Sequence, residues 1–306
     1  MKKDGRDFHN IIFDITTKFQ VWSIKTKAGK LIKVFSDKYT GLGEFIINFY
    51  LQLLDYIISS QSGQVNLEDY NLLQLNSPYE VISKLSSEKI IEATLLVFNI
   101  LTQTVLKQNI TPLFTLIFQR NLPKLYLIQD DLVKEKICLL LGNFIDNIYL
   151  YDKNAKEFQQ GVEFLFECLF QFNNNQGLSY QAANSIKDLI YVKKYSNIFN
   201  NVLSKCFSDI ALSIKENENT IFFDVLLEIV LFIDNTDYTL EICKEITLRI
   251  LKEIKTPSRK NLNLDFEYND YINKCFNVLK AVTENKTICN TYYVKFITLI
   301  TFIIYF

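Results

Sequence analysis

Residues 130–144 read DDLVKEKICLLLGNF, and residues 156–172 read KEFQQGVEFLFECLFQF. Apolar residues recur every three or four positions, at Val133, Ile137, Leu140 and Phe144 in the first stretch and at Phe158, Val162, Leu165 and Leu169 in the second. This spacing is typical of an α-helix with one apolar face. Asp130 and Asp131 precede the first helix, where carboxylates favour the positive end of the helix dipole. A short polar break, Tyr151 to Asn154, separates the stretches and predicts an antiparallel hairpin.

The same two-helix pattern recurs along the chain. Pairs begin near residues 87, 130, 178, 219 and 267, at a period of roughly 40 to 48 residues that is typical of HEAT and armadillo repeats. One hairpin cannot bury its apolar face alone, so successive hairpins are expected to stack. The sequence therefore predicts an all-α fold, an α-α superhelix in the form of a HEAT/armadillo-like solenoid of antiparallel helix pairs.

The predicted domain organisation is a single repeat array over residues 1–306. Residues 1–60 are expected to form N-terminal helices, residues 61–86 a loop-rich segment, and residues 87–306 about five helix pairs with the last one truncated. The chain ends on eleven uncharged residues, Phe296 to Phe306, fewer than the roughly 20 that span a bilayer. A helix cut off within a repeat is the preferred interpretation, and a tail anchor or membrane-surface segment is the alternative.

Composition and charge exclude several classes of function. The 33 Lys and Arg residues balance 34 Asp and Glu residues, so the net charge of -1 provides no general attraction for nucleic acid or an anionic membrane. We therefore expect no direct nucleic-acid partner and no membrane partner. A small basic cluster (Lys25, Lys27, Lys30 and Lys33) lies beside Trp22. It is interpreted as a solvated helix face, with RNA contact as the disfavoured alternative.

The residues that commonly carry enzyme chemistry are scarce. His9 is the one histidine, and no glycine-rich phosphate loop, HExxH motif or EF-hand spacing occurs. The six cysteines (138, 168, 206, 243, 275 and 289) form no CxxC pair. They are interpreted as small buried hydrophobes in a reducing compartment, with disulfides or a metal site as the alternative. We expect no enzyme, and no catalytic, cofactor-binding or metal-binding residue is assigned.

Three consecutive segments carry a resemblance to a known family. Leu132–Ile148, LVKEKICLLLGNFIDNI, has a charged start that leads into a cysteine-containing apolar helix. The segment FQQGVEFLFECL follows after Asp152-Lys153-Asn154, and Leu178–Ile190, LSYQAANSIKDLI, places an Ala-Ala step in a leucine-containing helix end. In this order the segments resemble the repeats of importin-β-type nuclear transport receptors.

Within that superfamily the chain looks most like the importin-seven and importin-eight branch. VWSIKTKAGKLIKVFSDKY (21–39) is similar to a tryptophan- and lysine-bearing helix there, and SPYEVISKL (77–85) resembles an acidic-Pro-Tyr-Glu segment. Residues 214–233 and 271–283 fall where the branch has corresponding helices. Family members are longer and begin with a Ran-binding region, which residues before Val21 do not match. The expectation is therefore a partial gene product or a shortened paralogue.

The resemblance implies a nuclear transport receptor of the importin-β (karyopherin) type, or a fragment of one. Such a protein binds cargo proteins, nucleoporins and the Ran GTPase, shuttles between nucleus and cytoplasm, and releases cargo because Ran and cargo lower each other's affinity. Acidic residues would hold basic cargo; the candidates are Glu163, Glu167, Asp188 and Glu228, although solvated surface is the favoured interpretation of each. The alternative function is a HEAT-repeat scaffold or adaptor without transport activity.

Overall fold

A computed structural model describes residues 24–39, 41–59, 86–107, 111–151, 156–171, 174–190, 196–216, 220–232, 236–255 and 265–284. Over these residues the fold is all-helical, with twelve α-helices and no β-strand, which confirms the all-α part of the prediction. The interpretations of His9, of the loop-rich segment and of the apolar C-terminus concern residues outside the described ranges. None of the described helices is both long and apolar enough to cross a membrane.

The chain divides into two compact units, Met1–Lys136 and Ile137–Phe306. The first contains α1 (Ile24–Lys38), α2 (Leu42–Ser59), α3 (Ser87–Ile100), α4 (Thr102–Lys107) and α5 (Thr111–Leu125). The division falls within α6 (Asp131–Tyr151). The second unit continues with α7 (Lys156–Leu169), α8 (Gln176–Ile190), α9 (Ser196–Glu216), α10 (Thr220–Phe232), α11 (Thr236–Lys255) and α12 (Asp265–Glu284).

Side chains with an oxygen near the backbone fix where several helices begin. The Val133 N–H donates a hydrogen bond of 2.9 Å to Oδ1 of Asp130, and the Leu178 N–H donates one of 3.0 Å to Oδ1 of Asn175. These bonds satisfy backbone donors that have no partner within the helix. Asp130 thus has a structural role at the start of α6, as the sequence predicts, and Asp131 is the first residue of the helix.

In the first unit, α2 is the central helix and contacts α1, α3, α4 and α5. Its residues Ile47, Leu51 and Leu54 are fully buried. Arg120 and Asn121 of α5 both bind the carboxylate of Asp55, with 3.0 Å between Asn121 Nδ2 and Asp55 Oδ1. Apolar burial and a shared carboxylate therefore fasten α5 to α2.

In the second unit, helices contact their next-but-one neighbours in two series. The helices α8, α10 and α12 pack in succession, as do α7, α9 and α11. The helix α6 joins the first series, since Ser185 Oγ of α8 donates a 2.8 Å hydrogen bond to the carbonyl oxygen of Cys138. We call α6, α8, α10 and α12 the even layer and α7, α9 and α11 the odd layer. Contacts between α7 and α8 and between α11 and α12 connect the layers.

Two contacts define the relative direction of α9 and α11. The rings of Phe207 and Tyr238 lie 5.1 Å apart, and Lys215 Nζ lies 3.3 Å from Oε2 of Glu245. Both partners of the second contact lie C-terminal to those of the first. The helices α9 and α11 therefore run in the same direction, as equivalent helices of successive repeats do.

The cysteines occupy helix interiors. Cys138, Cys168, Cys243 and Cys275 are buried free thiols, and Cys206 is a half-buried free thiol. The four buried side chains pack among apolar residues of the core, as the interpretation of small hydrophobes predicts. Cys289 lies outside the described residues.

Close approach of α6 and α8 depends on the glycine at position 142. A Cβ atom placed there would lie 2.8 Å from Ser185 Oγ, 3.1 Å from Ser185 Cβ and 3.4 Å from Ser185 Cα. Rotation of the hydroxyl group could relieve only the first contact and would break the bond to Cys138. The two helices would have to separate to accommodate a methyl group.

We predict that Gly142→Ala destabilises the protein by about 1–2 kcal/mol, because overpacking outweighs the gain in helix propensity. Thermal and urea unfolding followed by circular dichroism measure the change. Asn201→Ala, at an exposed position of α9, is the control and should change stability by less than about 0.5 kcal/mol. A Gly142→Ala protein as stable as the wild type would contradict the α6–α8 packing.

Candidate protein-binding surface

The four acidic candidates do not form one patch. Glu163 and Glu167 lie on α7, four residues apart and hence on one face of that helix. Asp188 lies on α8 and Glu228 on α10, so both belong to the even layer. Only the first two candidates are brought together by the fold.

Glu163 is held by residues of its own chain. Gln159 Nε2 donates a 3.0 Å hydrogen bond to its Oε1, and Lys205 Nζ of α9 binds the same oxygen. Partial burial acts to raise the pKa of Glu163, but the hydrogen bonds from Gln159 and Lys205 and the lysine charge together lower it. The carboxylate is thus charged at neutral pH and is already used to link α7 to α9.

A third carboxylate joins this cluster around Cys206. Burial raises the pKa of the Cys206 thiol to about 11, and the negative charges of Asp209, Glu163 and Glu167 act in the same direction. All three carboxylates thus act on the same thiol of the odd layer, where the charge of Lys205 opposes them. Glu167 and Asp209 are exposed, whereas Glu163 is half-buried. We call Glu163, Glu167 and Asp209 the acidic surface.

Sequence reasoning did not identify Asp209 as a candidate. The signal was present, since Asp209 lies one helical turn beyond Lys205 and therefore on the same face of α9. What the sequence could not supply was the pairing of that face with the Glu163 face of α7. With Lys205 neutralising Glu163, the two exposed carboxylates remain available to accept hydrogen bonds from the lysine or arginine side chains of a partner.

The remaining candidates are less suited to binding. Burial raises the pKa of the Asp188 carboxyl, and the charge of Lys187 opposes this shift. Glu228 is half-buried, and its Oε2 is inaccessible to solvent with no hydrogen-bond partner in the described part of the chain. An oxygen without solvent contact cannot meet a partner directly.

Comparisons of the chain with protein-family models, with curated proteins and with solved structures returned no match. Function is therefore inferred from the residues, from the packing of the helices and from the resemblance in the repeat segments. The acidic surface offers charge and hydrogen-bond acceptors, and the thiol at its centre has a raised pKa that disfavours the nucleophilic thiolate. These properties suit binding rather than covalent chemistry.

The pKa of Cys206 predicts slow alkylation. Relative to the ordinary thiol value of 9.0, a pKa of about 11 lowers the thiolate fraction at pH 8 on the order of 100-fold. We expect iodoacetamide to label Cys206 at least about 100-fold more slowly in the folded protein than in urea, as measured by peptide mass spectrometry. The double variant Glu167→Gln/Asp209→Asn should speed labelling of the folded protein by removing two charges.

Cys243 is the internal control for this labelling. Burial raises its pKa to about 12, so it should remain unlabelled in the wild type and in the double variant alike. Labelling of Cys206 in the folded protein at the rate found in urea would contradict its burial, and a labelling rate unchanged in the double variant would show that Glu167 and Asp209 do not act on the thiol. Faster labelling of both cysteines in the variant would instead report loss of packing.

Proposed function

We propose that this chain is a HEAT/armadillo-like solenoid that acts as a protein-binding module of the nuclear transport receptor type, or as a fragment of such a receptor. The observation that carries the proposal is the two-layer packing of α6 to α12, in which each helix contacts its next-but-one neighbour. Stacked helix pairs of HEAT and armadillo proteins have this order of contacts. Such stacks present extended surfaces that bind other proteins.

The repeat segments support the choice of family. The three segments that resemble importin-β-type repeats are those of α6, α7 and α8, which are consecutive along the chain. The capped start of α6 and the Ser185 bond from α8 to α6 lie within them. The contact between α6 and α8 thus lies among the residues that carry the resemblance.

The proposed mechanism is exchange of partners rather than catalysis. Basic segments of cargo bind at the acidic surface, where Glu167 and Asp209 are exposed. Ran in its GTP form binds the same array and lowers its affinity for cargo, and by linkage cargo lowers the affinity for Ran to the same extent. Contacts with nucleoporins carry the complex through the pore, so the protein is found in both nucleus and cytoplasm.

Selective binding of Ran tests the transport function. We expect the purified chain at physiological salt to retain Ran loaded with GTP at least about 10-fold better than Ran loaded with GDP. Helical circular dichroism of the same sample verifies that it is folded. Retention of neither form by a folded protein would overturn the transport proposal and favour the scaffold or adaptor.

Substitution at the acidic surface tests cargo binding separately. We expect Glu167→Gln/Asp209→Asn to weaken binding of a synthetic lysine- and arginine-rich peptide about 5-fold at low salt, because two exposed charge pairs contribute roughly 0.5 kcal/mol each. Fluorescence anisotropy of the labelled peptide measures the affinity. Asp188→Asn, an acidic position on α8 of the even layer, is the matched control. An equal loss in both proteins would assign binding to overall charge.

A further inference from the structure

The helix α1 displays its large apolar side chains and buries its small ones. Leu31 is 58% exposed, Val34 60%, Phe35 40%, and Tyr39 just after the helix 50%. The buried residues on the described part of α1 are Gly29 and Ser36. This distribution is the reverse of an ordinary surface helix, whose apolar face meets the core.

Close packing explains which face of α1 is buried. A Cβ atom at Gly29 would lie 2.6 Å from Cδ1 of Ile100, so the glycine allows α1 to approach α3 more closely than a larger residue would. The helix also contacts α2. Small residues on the buried face leave the larger apolar side chains on the face that points to solvent.

The exposed apolar residues form one continuous face. Positions 31, 34 and 35 lie within one helical turn of each other, and Tyr39 lies one turn beyond Phe35. The rings of Phe35 and Tyr39 are stacked with 6.0 Å between their centres. The face extends about 12 Å along the axis, the length of two turns of a partner helix. Full burial of an exposed apolar side chain stabilises a complex by about 1.5–3 kcal/mol, so contact with a partner at this face would favour binding.

Lysines give this face a positive charge. Lys27 lies one turn before Leu31, Lys30 one turn before Val34, and Lys38 one turn after Val34. All three are exposed, and Lys38 Nζ lies 5.7 Å from the centre of the Tyr39 ring. Asp37 is the one acidic residue of the helix. A local positive field therefore surrounds the apolar residues although the whole chain carries a net charge of -1.

We propose that this α1 surface, consisting of Leu31, Val34, Phe35 and Tyr39 with Lys27, Lys30 and Lys38, docks an amphipathic helix of another protein whose apolar residues are flanked by carboxylates. Apolar side chains at helical spacing match the anchors of a partner helix, and the lysines select its charge. A second copy of this chain is the wrong occupant, because a symmetric contact would place lysines against lysines. The site is independent of the Ran and cargo binding proposed above.

Two designed peptides test the proposal on the full chain. Both carry leucines at the same helical positions, and their polar positions are glutamate in one and lysine in the other. By fluorescence anisotropy we expect the glutamate peptide to bind at micromolar concentration and at least 10-fold more tightly than the lysine peptide, with affinity falling as salt rises.

Substitutions on α1 separate the apolar and charged contributions. We expect binding of the glutamate peptide to be at least 10-fold weaker in the double variant Leu31→Ser/Phe35→Ser. The same loss is expected in the triple variant Lys27→Gln/Lys30→Gln/Lys38→Gln. Leu127→Ser, which changes a leucine that is exposed after α5, is the matched control and should leave binding unchanged. Unchanged thermal unfolding verifies that the variants are folded.

Several outcomes would overturn the proposal. Equal binding of the two peptides by the Glu167→Gln/Asp209→Asn protein, in which the exposed charges of the acidic surface are removed, would exclude the α1 surface as the site of the glutamate peptide. Binding of the glutamate peptide that survives both sets of α1 substitutions would exclude it as well. Binding to phosphatidylcholine vesicles with about 30% phosphatidylserine, without binding of the glutamate peptide, would assign the surface to lipid. A dimer in sedimentation that Leu31→Ser/Phe35→Ser abolishes would assign it to a second copy. Because the α1 surface does not depend on Ran binding, each of these results can be interpreted even if the chain retains neither form of Ran.

Discussion

Close approach between next-but-one helices is the constraint on which the second unit depends. Each helix there must bury an apolar face, and the hydrogen bond from Ser185 to the Cys138 carbonyl forms only if α6 and α8 approach at Gly142. The same requirement recurs through the even and odd layers. Charged contacts such as Lys274 Nζ to Asp224 Oδ2, at 2.9 Å between α12 and α10, are added at the edges of these interfaces. Partly exposed pairs contribute little to stability compared with apolar burial.

The sequence predicted the features that depend on local structure. Helical spacing placed Val133, Ile137 and Phe144 on one face, and all three are buried. The acidic residues before α6 predicted its start, because capping involves atoms only three residues apart. Of the helices predicted within residues 1–60, α1 (Ile24–Lys38) is present in the segment 21–39. Its orientation could not be predicted, since the face that packs is selected by Gly29 and Ile100, which are distant in sequence.

Less of the candidate site than of the fold could be predicted, because the site depends on packing between residues that are distant in sequence. Glu163 and Glu167 are recognisable as neighbours because they are one helical turn apart. Asp209 belongs with them only because α9 packs on α7, and Lys205 neutralises Glu163 only through that packing. The buried Oε2 of Glu228 likewise depends on how α10 is covered. Periodicity defines the face of a helix on which a charge lies, but not the charges that a neighbouring helix brings to it.

A net charge near zero does not exclude locally charged binding surfaces. The chain totals -1, yet its described residues include a basic apolar face on α1 and an acidic cluster on α7 and α9. Because charges are screened beyond a Debye length of about 8 Å at physiological salt, a partner responds to the local cluster rather than to the total. Opposite local charges select opposite partners, so one chain can bind an acidic helix and a basic segment at separate places. A helical array can in this way distinguish its partners by charge.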